Sequence, residues 1–134
     1  MTDNCSRWPT RLLPLMLCLA ATAADASSCD STALNTQEVQ ATCTVAATPA
    51  PQALRFKAHF LGSHDDSVVS LKPPLLNNIP MRCGAGSKTE STYEDGEVTL
   101  DCRLVAPASS EAGRLTVPLA LHHLQLDRVE LLPE

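Results

Sequence analysis

The stretch from residue 115 to residue 131, LTVPLALHHLQLDRVEL, decides the fold class because apolar residues recur at every second position. A period of two is typical of a β-strand with one buried face, whereas a helix repeats every 3.6 residues. His122 and His123 interrupt the alternation, which resumes in a shifted phase from Leu124. We expect either a β-bulge here or a corner at which the chain passes between two sheets. Pro118, inside the run, predicts an edge strand or a bulge.

The same period of two recurs upstream and extends the prediction to the whole domain. Residues 39–45, 54–60 and 98–104 each alternate between apolar and polar side chains. About seven short strands in roughly 95 residues predict an all-β fold, an antiparallel β-sandwich of immunoglobulin-like or related type. We expect one sandwich domain over residues 38–134, preceded by a flexible lead-in over 27–37.

The first 26 residues are typical of a cleavable secretory signal peptide. Two arginines precede the apolar run 12–21, and Ala24-Asp25-Ala26 then offers small residues at the positions that a signal peptidase reads. A membrane anchor would need about 20 apolar residues, and this run is shorter. We therefore expect a periplasmic or secreted mature protein. Lipid attachment at Cys29 stays an alternative.

Four cysteines remain after the signal segment, and they predict two disulfides, as an even number does in a short exported chain. These residues are Cys29, Cys43, Cys83 and Cys102. Pairing neighbours in sequence gives Cys29–Cys43 and Cys83–Cys102, which we favour because both loops are short. The alternative Cys43–Cys102 bridge has an immunoglobulin-like separation. A cysteine zinc site is not favoured, because the chain has no Cys-x-x-Cys pair.

Composition argues against several classes of partner. The formal net charge is −5, and an acidic domain binds phosphate backbones poorly. The single tryptophan, Trp8, lies in the signal segment, so few aromatic side chains remain to stack on bases or sugars. We expect no nucleic-acid partner and no transmembrane span in the mature protein. No nucleophile elbow or phosphate loop is present, so we expect a non-enzymatic protein without a cofactor.

Histidines and aspartates suggest one candidate metal site. His64 and Asp65 lie with Asp66 in one predicted turn, and His122 is followed directly by His123. Imidazole is a good ligand for copper and zinc. Because adjacent residues of a strand point to opposite faces, both members of the histidine pair can bind one ion only at a bulge. A periplasmic copper- or zinc-binding β-domain with ligands His64, Asp65, His122 and His123 is therefore the second functional hypothesis.

An acidic predicted hairpin suggests the first hypothesis. Tyr93, Glu94, Asp95 and Glu97 surround an Asp-Gly pair, the strongest tight-turn signal of the chain. An aromatic side chain among acids can anchor a protein interface, and the charges would favour a basic partner. We expect a binding module whose loops contact another exported or envelope protein, as an inhibitor or immunity-type protein does. The alternative is that these charges only keep the hairpin soluble.

A short segment supplies the third hypothesis. Residues 41–48, ATCTVAAT, resemble the early cysteine strand of spore-coat-U-like and pilin-type secreted subunits. The resemblance implies a surface or fimbrial structural subunit. The chain ends in VELLPE over residues 129–134, whereas those subunits carry a C-terminal strand ending near an aromatic. Assembly by strand donation is therefore not expected.

Overall fold

The computed structural model of the protein describes residues 28–62, 66–92 and 97–134, which form ten β-strands. The strands are β1 (Cys29–Asn35), β2 (Glu38–Val45), β3 (Gln52–Leu61), β4 (Val68–Leu71), β5 (Leu75–Leu76), β6 (Ile79–Pro80), β7 (Glu90–Thr92), β8 (Glu97–Ala106), β9 (Gly113–His122) and β10 (Gln125–Pro133). Within these ranges, no helix is long and apolar enough to cross a bilayer. The signal segment 1–26 lies outside the described residues and stays a prediction.

Two antiparallel sheets enclose the core, which confirms the predicted all-β sandwich. The larger sheet has the order β1-β2-β9-β4-β7, with β5 pairing to β9 and to β6, and the smaller sheet has the order β10-β3-β8. Three of the ten strands, β5 to β7, have only two or three residues, and the other seven are longer.

Alternation of apolar residues supplies the core from both sheets. Phe56, Phe60 and Leu100 of the smaller sheet are fully buried, and they face Leu115 and Leu119 of the larger sheet across the interior. Burying a side chain of this size stabilises a fold by about 1.5–3 kcal/mol, so this layer holds the two sheets together. The polar residues between them remain half-buried or exposed.

The histidine pair marks a corner, one of the two outcomes predicted for it. Strand β9 belongs to the larger sheet and β10 to the smaller one, so the chain changes sheets between His122 and Gln125. A register shift between Leu126 and Arg128 then returns β10 to the phase in which Leu131 is buried. The corner and this shift together explain the interrupted periodicity.

The position predicted for Pro118 is wrong, because β9 is an interior strand that pairs with β2 on one side and with β4 and β5 on the other. The Pro118 carbonyl accepts a hydrogen bond of 2.9 Å from the Lys72 backbone, on the side where β4 has ended and β5 has not begun. The N and C=O of one strand residue point to the same side. The missing N–H therefore faces this gap, and the ladder to β2 loses nothing.

The predicted acidic hairpin is also wrong in its pairing. Strand β7 pairs with β4 in the larger sheet, whereas β8 pairs along its whole length with β3 in the smaller one. An isolated bridge between Lys88 and Asp101 is where the two arms meet. All ten residues of β8 pair with β3. Strand β7 instead covers the edge that β4 would otherwise expose. The connection therefore crosses between the sheets.

The expected lead-in over 27–37 contains a strand. Strand β1 pairs with β2 from Cys29 to Asn35 and forms one edge of the larger sheet. Its small polar residues are exposed, which explains why the sequence of β1 lacks the apolar alternation that predicts a strand. The predicted disulfides are confirmed: Cys29 is bonded to Cys43 and Cys83 to Cys102, and no described cysteine is free. Such bridges fit an oxidising extracellular or periplasmic compartment.

Candidate functional site

One end of the sandwich gathers the chain segments that the sequence singled out. Val68 of β4 pairs with His122 of β9, and Leu61 of β3 pairs with both Gln125 of β10 and Glu97 of β8. The connections β1–β2, β3–β4, β7–β8 and β9–β10 therefore all leave from this end, which we call the histidine end. Connections at one end of a rigid sandwich are the usual place for binding residues.

An unusual backbone conformation brings the two histidine side chains together. His123 has φ = 61°, in the left-handed region that residues other than Gly, Asn, Asp and His seldom adopt. This interrupts the alternation of the strand, so the rings of His122 and His123 lie side by side with centroids 3.9 Å apart. Two adjacent histidines can bind one ion only where the strand is interrupted, and this corner is such an interruption.

Asp66 completes a cluster of three potential metal ligands. Its Oδ1 lies 2.9 Å from Nδ1 of His123, and its Oδ2 lies 3.8 Å from Nε2 of His122. One ligand atom from each of the three residues falls within 4.8 Å of the other two. Zinc–nitrogen and zinc–oxygen bonds of about 2.1 Å place ligand atoms roughly 3–4 Å apart, so small side-chain rotations would suit a shared ion.

The electrostatics of the cluster keep the Asp66 carboxylate ionised. The hydrogen bond from His123 lowers the pKa of Asp66 below its ordinary value, and the nearby imidazole charges act in the same direction, while desolvation opposes them. The carboxylate therefore stays ionised at neutral pH. All three side chains are exposed, with 66% of Asp66, 47% of His122 and 45% of His123 accessible, so an ion can enter from solvent.

A cleft of about 560 Å³ opens beside the cluster. Its lining includes the two histidines and Gln125 from the β9–β10 corner, and Thr36 and Gln37 of the β1–β2 turn. The backbone carbonyl of Gln37 accepts a hydrogen bond of 2.9 Å from Leu121, which holds this turn against the end of β9. The cleft is therefore built on strand ends rather than on free loops.

The sequence identified two of the three clustered ligands. The structure brings His122 and His123 together, but His64 and Asp65 lie in residues 63–65, outside the described chain. Asp66 was part of the same predicted turn, yet nothing in the sequence distinguished it from its neighbour. Its role depends on the corner at residue 123, which lies 57 positions away.

The structure describes only a small part of the acidic segment that the sequence suggested as a binding site. Tyr93, Glu94 and Asp95 lie outside the described residues, and Glu97 begins β8 at the histidine end. Their connection thus leaves from the same end as the histidine cluster, although the hairpin pairing expected for it is absent.

The remaining described histidine has a different setting. His59 lies in the smaller sheet, with Nε2 2.7 Å from Glu130 and Nδ1 3.3 Å from the hydroxyl of Thr99. Its side chain is only 13% exposed. Both ring nitrogens are therefore engaged within the sheet, and His59 is not part of the cluster.

Comparisons with known proteins give structural similarity without any sequence match. No family model and no curated protein matches the chain. A solved structure, the crystal structure of the Podospora anserina GH26-CBM35 beta-(1,4)-mannanase, aligns with 81% of this chain at 11% identity and a TM-score of 0.40. The chain spans 25% of that protein's length. The function must therefore be argued from the chain's own residues.

Proposed function

We propose that this protein is an exported, non-enzymatic binding module whose ligand is a divalent copper or zinc ion held by Asp66, His122 and His123. The observation that carries the proposal is the cluster of three ligand atoms within 4.8 Å of one another. Two imidazoles and one carboxylate suit these metals better than calcium or magnesium, which prefer oxygen ligands.

A binding role is proposed rather than nucleophilic catalysis by a side chain, because the described neighbourhood offers no activated hydroxyl or thiol. The hydroxyl next to the cluster belongs to Ser67, which is fully buried. It donates a hydrogen bond to the backbone carbonyl of His123, so it stabilises the backbone and is not available to a substrate. An exposed three-ligand site also suits reversible binding, because solvent can supply and remove the ion.

Calorimetric titration of the metal-free protein with Zn²⁺ and Cu²⁺ tests the proposal. We expect about one equivalent to bind, and we expect Asp66→Asn and His122→Ala each to lose most of the affinity. Glu111→Gln is the matched control, because Glu111 is an exposed acid in the β8–β9 connection at the opposite end. Unchanged binding in both cluster variants would overturn the site.

A protein partner at the same end is the second candidate function. Three of the six large apolar side chains exposed in the described chain, Leu34, Leu61 and Val68, lie at the histidine end. Exposed apolar residues mark an interaction surface where they form one contiguous patch. Leu61→Ser and Val68→Ser should then weaken capture of an exported partner without lowering the melting temperature, whereas Val105→Ser at the other end should not. An inhibitor or immunity-type role would require that the captured partner be an enzyme.

A further inference from the structure

With the proposed ion bound, the cluster would keep a net positive charge and an unfilled coordination position. A divalent ion bound by one carboxylate and two neutral imidazoles keeps one net positive charge. Zinc also takes at least four ligands, and the described cluster supplies three. The remaining position therefore favours an anionic oxygen ligand over a neutral one.

The cleft beside the histidines indicates what the rest of that ligand is. Gln37 and Gln125 are among the residues that line it, and within the described chain neither side-chain amide makes a hydrogen bond. An amide both donates and accepts, which is the pattern that a peptide group needs from its partner. Leu61, 44% exposed on the same cleft, adds an apolar contact.

A second groove touches His122 but does not suit an anion. It runs along the outer face of the larger sheet, and its lining includes Asn35, Glu38 and also Gln37. The Asn35 amide is already occupied, since Nδ2 donates to Glu38 at 2.9 Å and Oδ1 accepts from the Gln37 backbone at 2.7 Å. The carboxylate of Glu38 would repel a negatively charged ligand, so the anion is directed into the first cleft.

We infer that the metal-loaded site binds the free carboxyl terminus of a peptide. The terminal carboxylate completes the coordination of the ion, and the last peptide groups lie in the cleft between Gln37 and Gln125. This inference rests on the proposed metal function and assigns its ligand class. The histidine end would thereby recognise the end of a peptide chain rather than the surface of a folded protein.

Titration with two matched dipeptides tests the inference. The probes are N-acetyl-Ala-Ala, which has a free carboxylate, and N-acetyl-Ala-Ala amide, which does not. Acetylation removes the terminal amine, so the probes cannot chelate zinc through it. Each is titrated into the zinc-loaded and the zinc-free protein, with binding measured by calorimetry and by amide chemical shifts.

We expect saturable binding of the acid to the zinc-loaded protein alone. Gln37→Ala and Gln125→Ala should weaken it roughly fivefold, the effect of losing one hydrogen bond, while zinc affinity stays unchanged. Gln40→Ala, on the outer face of β2, is the matched control.

Each contrary result has a distinct meaning. If zinc binds and the acid does not, or if the acid and the amide bind equally, the peptide inference is overturned and the metal site stands. Equal binding to the zinc-free protein also overturns it, because the ion would not be the anchor. If zinc itself does not bind, the proposed function fails, and the peptide inference fails with it.

Discussion

The hydroxyl of Ser67 donates a hydrogen bond of 2.8 Å to the backbone carbonyl of His123, although 56 residues separate them. Ser67 is fully buried just before β4, and His123 is the exposed corner between β9 and β10. The bond ties the β3–β4 connection, which carries Asp66, to the corner that carries the two imidazoles. The position of the cluster thus depends on a polar contact beneath it.

Ser67→Ala is expected to lower both stability and zinc affinity. The His123 carbonyl would lose its buried donor, which should reduce the free energy of unfolding by about 1 kcal/mol or more. The corner would also be less firmly held, so the ligands would be less well placed. Urea denaturation and zinc titration measure the two effects. Ser70→Ala, on the outer face of β4, should change neither, and an unaltered zinc affinity in Ser67→Ala would contradict the link.

The left-handed backbone at residue 123 predicts an inverted order of stability for two small replacements. Glycine adopts positive φ without a steric penalty, whereas alanine does not, so His123→Gly should be more stable than His123→Ala by about 1 kcal/mol. Both variants lack the ring and should bind zinc poorly. Thermal denaturation checks the order, and an alanine variant at least as stable as the glycine variant would show that the corner does not hold this conformation.

Glu134 predicts a contribution to stability that acid removes. Desolvation raises its pKa, but hydrogen bonds and charges from Arg103 and Arg55 outweigh this effect and leave the pKa lower than usual. A carboxyl with a depressed native pKa stabilises the fold above its unfolded pKa. That contribution is lost as the pH falls from about 4.3, the ordinary glutamate value, through the native pKa.

Glu134→Gln should therefore be less stable than the natural protein at pH 7 and should approach it in stability at low pH. Denaturation midpoints measured between pH 7 and pH 2.5 test this. Glu111→Gln serves as the control, and a constant difference between Glu134→Gln and the natural protein over the whole range would contradict the ion-pair origin.

The bridge between Cys83 and Cys102 is expected to be a large source of stability. It closes a loop with a sequence separation of 19, and removing such a bridge typically costs about 2–4 kcal/mol. Replacing both cysteines by alanine should lower the denaturation midpoint accordingly. In the unaltered mature protein, thiol labelling under denaturing, non-reducing conditions should find no thiol, and any labelled cysteine would contradict the pairing.

Local periodicity predicted those parts of the fold that depend on burial alone. The alternation around Phe56 and around Val117 placed β3 and β9 correctly, because one buried face imposes a period of two wherever the strand lies in the sheet. The pairing of neighbouring cysteines was confirmed for a similar reason, since short loops bring such residues together whatever the topology.

Features that depend on distant partners could not be predicted in this way. The sequence shows that Pro118 lacks an N–H, but only the gap between β4 and β5 shows that this side needs none. It shows a turn before Glu97, but the partner of β7 is decided by the edge of β4. The placement of Asp66 beside the two histidines likewise depends on a corner far along the chain.

Both covalent cross-links lie away from the histidine end. Cys43 is opposite Leu115, close to where β9 begins, and Cys102 is opposite Phe56 in the other sheet. Within the described residues, no disulfide joins the four connections of the histidine end, so their backbone amides should exchange with deuterium through the least costly local opening. An ion that joins Asp66 to His122 would cross-link that end reversibly. The slowing of deuterium exchange there would then measure the fraction of protein molecules that hold an ion.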